Sequence, residues 1–154
     1  MQLPFFAQAP SFDVLPSYRL SRFYDDPEPT LSFFQGYFTK EGLHIQLRAY
    51  EKPKEHSYFC FTLLSGKKLR FSRNIFPDQP DLSLQALPEQ GENLMGHYWG
   101  SQLFVPYILC PEPISGIVGL FHHKIPQCFL CEEENSENLY PLVHFIPEPH
   151  PKSS

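Results

Sequence analysis

The chain has 154 residues, which is the length of one domain with a substantial core. Its 12 Lys and Arg against 17 Asp and Glu give a formal net charge of −5. This acidic balance argues against nucleic acid and an anionic membrane surface as partners, because both are bound through clustered basic residues. The chain also contains 17 Pro, roughly twice the average share of about 5%, and this excludes a helical bundle because Pro ends helices.

The sequence carries no membrane or secretion signal. No segment approaches the run of about 18 apolar residues that a membrane-spanning helix needs. Residues 1–6, MQLPFF, lack the basic region and the long apolar region of a secretory signal. We therefore predict a cytoplasmic protein with reduced cysteines.

The segment 1–29 is rich in Pro and aromatic residues without a sustained period, and 25–29 is predicted as a connecting loop. A period of two begins after residue 30. Residues 31–38 and 42–50 are predicted as two strands of a hairpin with its turn at 40–42. Strand 42–50 alternates most clearly, with Leu43, Ile45 and Leu47 on its apolar face. Its polar face carries His44, Gln46, Arg48 and Tyr50.

The same pattern predicts further strands at 58–64, 69–72, 82–86, 98–107, 114–123 and 127–132, with an acidic loop at 132–137. Pro106 predicts a strand end or an edge position. Seven or eight strands separated by turns, with no helical period, predict an all-β sandwich or barrel with little helix. The domain is predicted to span residues 1–146, and residues 147–154 are predicted to form a frayed C-terminal tail.

The four cysteines are Cys60, Cys110, Cys128 and Cys131. Cys128 and Cys131 have the spacing of a zinc or redox pair. A structural zinc site usually needs a second short-spaced pair, however, and Cys60 and Cys110 are isolated in the sequence. We therefore predict that the thiols are buried apolar groups and that the protein has no metal site and no cofactor.

Catalytic motifs are missing from the chain. The sequence contains no glycine-rich phosphate loop, no GxSxG and no HExxH. The adjacent His122 and His123 lie on a predicted strand, where neighbouring residues point to opposite faces, so the two do not readily share a metal. The protein is not predicted to be an enzyme.

Two features fit the recognition of a small polar ligand. One is the polar face of strand 42–50, and the other is the pair Tyr98 and Trp99 between Gly96 and Gly100. A sugar needs an aromatic ring against its C–H face and planar polar side chains for its hydroxyls. The alternative interpretation is that Trp99 is a core residue and the polar face is merely solvated.

Three segments, in order, resemble carbohydrate-binding module family 9 and its relatives, the family-9-like domain proteins of bacteria. They are 42–53, GLHIQLRAYEKP; 96–106, GHYWGSQLFVP; and 116–124, GIVGLFHHK, in which Leu120 and His122 stand in place of Asn and Tyr. The resemblance implies an antiparallel β-sandwich of the immunoglobulin or jelly-roll kind. It also implies weak, non-catalytic binding of a carbohydrate or similar polar ligand.

The resemblance implies a ligand site formed by Arg48, Glu51, Tyr98, Trp99 and His122. Arg48 and Glu51 are expected to face a cleft shared with Trp99, Arg48 donating to ligand hydroxyls and Glu51 accepting from them. By its position in the alternation, Glu51 belongs to the core face of the strand. A strand end or bulge after Tyr50 is therefore needed to turn it outward. The family's sugar site uses two tryptophans and this chain has one, so the alternative function is a structural or protein-interaction domain without a sugar site.

Overall fold

The structure, a computed structural model, describes residues 1–23, 30–109, 114–132 and 140–148. The predicted loop at 25–29, Cys110, all but the first residue of the predicted acidic loop, and residues 149–154 of the predicted tail lie outside this part of the chain. Within it, none of the helices is long and apolar enough to cross a membrane.

The described residues form twelve strands and three short 3-10 turns. The strands are β1 Gln2–Leu3, β2 Tyr18–Arg19, β3 Arg22–Phe23, β4 Ser32–Phe38, β5 Gly42–Ala49, β6 Ser57–Ser65, β7 Lys68–Ile75, β8 Leu87–Asn93, β9 Gly96–Pro106, β10 Ile114–His122, β11 Ile125–Phe129 and β12 Val143–Pro147. The 3-10 turns are Phe12–Val14, Leu82–Leu84 and Tyr107–Leu109. The predicted all-β class with little helix is confirmed.

The strands are arranged in two sheets. The five-stranded sheet has the order β2-β4-β5-β9-β8, and all its pairs are antiparallel. In the seven-stranded sheet, β6 lies between β7 and β10, and the other edge of β10 pairs first with β12 and then with β11. Strand β1 adds to β12 in parallel and β3 adds to β11.

The core lies between the two sheets, as the alternation in strand 42–50 predicts. Leu43, Ile45 and Leu47 are fully buried. Rings from the two sheets meet across the core, since Phe34 of β4 stacks on Phe145 of β12 with centroids 5.4 Å apart. Each large apolar side chain buried in this way contributes about 1.5–3 kcal/mol. The sandwich is therefore held together mainly by its two apolar inner faces.

The predicted strand at 82–86 is wrong. Residues Leu82–Leu84 form a 3-10 turn, in which the Asp81 side chain accepts from the Ser83 N–H at 3.0 Å, and Gln85 closes the turn with φ of 46°. The strand follows directly, as β8, where Pro88 and Gly91 obscure the alternation. Local side-chain capping therefore overrides the alternation of Leu82, Leu84 and Ala86.

Both ends of the described chain enter the seven-stranded sheet, although neither end has a clear pattern. Strand β12 extends to Pro147, and the Glu148 N–H donates to the Leu3 carbonyl at 2.8 Å. The first two residues of the predicted tail are therefore paired with β1. Pro106 ends β9, which agrees with its predicted position at a strand end.

Candidate functional site

The structure divides the five predicted site residues between two layers. Tyr98 and Trp99 are neighbours on β9 and point to opposite faces of the five-stranded sheet. Arg48 shares the outer face with Tyr98, over whose ring its guanidinium lies, whereas Glu51 and His122 contact one another beside Trp99. The expectation that Arg48, Glu51 and Trp99 share one cleft is therefore corrected.

Glu51, Trp99 and the partly exposed His122 form a hydrogen-bonded cluster, here called the Trp99 cluster. The indole Nε1–H donates to Glu51 Oε1 at 3.1 Å, and His122 Nε2 donates to the same oxygen at 2.9 Å. Trp99 is 0% exposed, and its ring packs against Phe59 with centroids 5.1 Å apart. The indole has no free face for a ligand, which matches the alternative interpretation of Trp99 as a core residue.

Glu51 is not turned outward. Its parity on the strand directs it toward the core, and its side chain is 8% exposed. Burial raises the pKa of its carboxyl, but the hydrogen bonds from His122 and Trp99 outweigh burial and hold the pKa below its usual range. Lys54 Nζ lies 3.9 Å from the second carboxylate oxygen. The cluster therefore keeps a buried negative charge, with its hydrogen bonds joining the loop after β5 to both sheets.

Arg48, Tyr50, Glu89, Asn93 and Tyr98 form a second cluster on the outer face, here called the Arg48 cluster. The Arg48 guanidinium carbon lies 4.0 Å from the Tyr98 ring centroid, a cation–π contact. Its Nη2 donates to Glu89 Oε1 at 3.3 Å. Burial lowers the pKa of the guanidinium, but the Tyr50 hydroxyl and Glu89 raise it overall. The side chain is held in place while 24% of its surface stays exposed.

The turn between β8 and β9 fixes the tyrosines of the Arg48 cluster. The Asn93 amide donates to the Tyr50 hydroxyl at 3.0 Å, and Asn93 Oδ1 accepts from the Met95 N–H at 2.8 Å. Gly96 completes the turn with φ of 111°, a conformation that favours glycine. The rings of Tyr50 and Tyr98 then lie 5.9 Å apart.

Three members of this face were missed from the sequence, namely Glu89, Gly91 and Asn93. All three lie on β8, and no short sequence pattern predicts how β8 pairs with β9. A Cβ on Gly91 would lie 2.5 Å from the Tyr98 hydroxyl oxygen, so glycine is needed where the ring crosses β8. The register of β8 against β9 would have revealed all three residues.

The other half of the predicted polar face is covered. Gln35 Nε2 donates to the carbonyls of Phe12 and Leu15 at 2.8 and 3.1 Å, which fixes the N-terminal segment over this part of the sheet. Beneath it, Tyr37 stacks on His44 with centroids 4.6 Å apart. Gln46 is 5% exposed. The part of the polar face that stays open is therefore the end at the Arg48 cluster.

Three of the cysteines, Cys60, Cys128 and Cys131, lie within the described residues, and Cys60 and Cys128 are free thiols. Cys128 is fully buried and its sulfur lies 3.2 Å from the Ser32 hydroxyl. In the described part of the chain, no group of three or more His, Cys, Asp and Glu is placed to hold a metal ion. The absence of a zinc site remains a prediction for the whole chain.

We expect Cys128 to be unreactive in the folded protein. Burial raises the pKa of its thiol from 9.0 to about 11, and the thiolate is the reactive form. Each pKa unit reduces the thiolate fraction tenfold, so alkylation by iodoacetamide near neutral pH should be at least about 100-fold slower than in the urea-unfolded chain. Peptide mass spectrometry after timed alkylation measures this ratio, and similar rates in the two states would contradict the placement of Cys128.

Comparisons with known proteins find similarity to this chain in structure and not in sequence. No protein-family model and no curated protein matches the chain. Among solved structures, a carbohydrate binding module family 9 from Caldicellulosiruptor kristjanssonii in complex with glucose superposes with a TM-score of 0.53, at 6% sequence identity, covering 100% of this chain and 98% of that chain. At this identity the likeness shows the fold alone. The chain is a β-sandwich with the fold of a family 9 carbohydrate-binding module, which confirms the fold that the sequence resemblance implied.

Proposed function

We propose that this protein is a non-catalytic carbohydrate-binding domain, and that the Arg48 cluster takes a neutral sugar on the outer face of the five-stranded sheet. The observation that carries the proposal is the partly exposed Arg48 guanidinium, held between the Tyr98 ring and Glu89. The structural neighbour was solved with glucose, which supports a sugar as the ligand class for this fold.

The chemistry of the Arg48 cluster suits a sugar. Phe33, Tyr50 and Tyr98 form an aromatic strip, with successive centroids 5.9 Å apart, against which the C–H face of a sugar can pack. The guanidinium has five N–H donors, and Glu89 and Tyr50 occupy only part of this set. Glu89 supplies a carboxylate acceptor beside it. These groups are already oriented by one another, so little ordering is needed on binding.

The Trp99 cluster acts as a support for this surface. Glu51 directly follows Tyr50, and Trp99 directly follows Tyr98, so each pair places one residue in each cluster. The hydrogen bond from the indole to Glu51 therefore fixes the backbone that displays the two tyrosines. Glu51, Trp99 and His122 are positioning residues in this proposal, and they do not touch the sugar.

A protein-interaction domain is the second candidate function. The tip of the β8–β9 turn exposes two apolar side chains, Leu94 at 108% and Met95 at 54%. Large apolar side chains in such a position fit the surface of a protein partner. Failure of every neutral sugar to bind, together with association through this tip, would favour this candidate.

Replacing Arg48 with alanine should weaken sugar binding about ten- to a hundredfold, because a hydrogen bond to a charged group contributes about 1.5–3 kcal/mol. Calorimetric titration with D-glucose measures the effect, and we expect a wild-type dissociation constant on the order of micromolar to millimolar. Arg70→Ala, an exposed arginine on β7 of the other sheet, is the matched control and should bind as wild type does. Equal affinity of the Arg48 and Arg70 variants would overturn the proposed site.

A further inference from the structure

A cavity of about 350 Å³ lies on the outer face of the seven-stranded sheet, at the start of β6. Its lining residues are Glu55, His56, Tyr58, Asn74, Phe76, His123 and Lys124. Tyr58 alternates with the buried Phe59, so it points away from the core. This cavity, here called the Tyr58 pocket, is therefore on the face of the sandwich opposite to the Arg48 cluster.

The apolar wall of the Tyr58 pocket is built from packed aromatic rings. The Tyr58 ring packs between Phe76 and Phe121, with centroids 5.4 and 5.3 Å away. Burial raises the pKa of the Tyr58 hydroxyl, and the nearby Cys60 and Tyr140 raise it further. The hydroxyl therefore stays neutral and can donate a hydrogen bond. The aromatic rings offer an apolar surface, and the Asn74 amide adds a planar donor and acceptor.

The polar wall of the Tyr58 pocket consists of two imidazoles held against each other. The rings of His56 and His123 have centroids 4.2 Å apart, and the backbone N–H of His123 donates to the backbone carbonyl of His56 at 3.0 Å. This contact joins the loop between β5 and β6 to the turn between β10 and β11. Two loops from different parts of the chain thus fix the polar groups of the pocket.

The turn between β10 and β11 uses residues that its backbone does not favour. It has two residues, His123 with φ of 52° and Lys124 with φ of 66°. A two-residue turn with positive φ at both positions strongly prefers Asn-Gly. Here both unfavoured residues line the pocket. Strain of this kind in a pocket is typical of a binding function that outweighs the local cost.

We propose that the Tyr58 pocket is a second binding site, for a single neutral monosaccharide unit, which makes the sandwich bivalent; this rests on the proposed function. An aromatic wall opposite imidazole and amide groups meets the same needs as the first site. The volume lies at the lower end of the range of about 300–1,000 Å³ for ligand pockets, which suits one sugar ring. Two sites on opposite faces would let one domain bridge two glycan chains.

The experiment is a titration of the full chain with D-glucose, followed by backbone amide shifts in two-dimensional NMR spectra. We expect two separate groups of residues to shift, one around Arg48 and Tyr98 and the other around Tyr58 and His123. His123→Asn removes the imidazole and suits the positive φ of the turn, so the variant should fold. It should weaken binding at the second group about tenfold and leave the first unchanged, whereas Arg48→Ala should do the reverse.

Each outcome decides between the two sites. Shifts around Arg48 alone would overturn the second site and leave the proposed function standing. Shifts around Tyr58 alone, removed by His123→Asn, would support this pocket and overturn the Arg48 site. Shifts in neither group would overturn both proposals, and shifts around Tyr58 that His123→Asn leaves unchanged would overturn the role of the pocket.

Discussion

Replacing Trp99 with alanine should lower the free energy of unfolding by about 3–5 kcal/mol. The indole is fully buried against Phe59, so its removal leaves a cavity that the packed core cannot fill. The change also removes a hydrogen bond that Glu51 accepts. Because small domains are stable by only about 5–15 kcal/mol, the variant should lose a large share of its stability. Urea unfolding followed by circular dichroism measures the change.

Tyr98→Ala is the matched control for Trp99. The two aromatic residues are neighbours on β9, but Tyr98 is half-buried on the outer face. It should cost roughly 1 kcal/mol while weakening the binding of D-glucose. Comparable stability losses in the two variants, or a Trp99→Ala protein that unfolds like wild type, would contradict the placement of the indole in the core.

Replacing Glu51 with alanine should cost about 3 kcal/mol of stability at neutral pH. The change leaves the buried indole N–H and His122 Nε2 without their shared acceptor. Glu51→Gln is the matched control, because its amide oxygen has two lone pairs and can still accept from both donors, although it carries no negative charge. The glutamine variant should therefore be more stable than the alanine variant.

The stability that Glu51 provides should depend on pH in a defined direction. Its folded pKa is held below the ordinary value of 4.5. The stabilisation is therefore fully present above that value and is lost as the pH falls through the lower, folded pKa. The advantage of wild type over Glu51→Gln should shrink in urea unfolding between about pH 5 and pH 2. A difference that is constant over this range, or that grows toward acid, would contradict a charged, hydrogen-bonded Glu51.

Strand parity explains why part of the candidate site could be predicted from the sequence. The alternation in 42–50 places Arg48 outside, as observed. The same alternation directs Glu51 toward the core, where it lies, so the expectation that a strand end turns Glu51 outward is wrong. The sequence also singles out the pair at 98–99, and it names Tyr50 and Glu51 separately, one on the polar face and the other in the ligand site. The members of each pair act in different layers, however, because adjacent strand residues point to opposite faces.

The remaining features of the site depend on contacts between distant segments, which leave no local pattern. Glu89 reaches Arg48 only because β8 pairs with β9 in a particular register. The N-terminal segment covers Gln35 through backbone carbonyls, which no sequence signal marks. The contact of His56 with His123 likewise joins two loops 67 positions apart, from residue 56 to residue 123.

A crystal structure of the full chain grown with D-glucose would show directly where the sugar binds. We expect a sugar ring on the outer face of the five-stranded sheet, packed along the strip of Tyr50 and Tyr98, with a hydroxyl accepting from the Arg48 guanidinium. The indole of Trp99 should stay buried and hydrogen-bonded to Glu51. A sugar that displaces Glu51 and packs on Trp99, or an Arg48 cluster left empty at saturating glucose, would contradict a sugar site at Arg48.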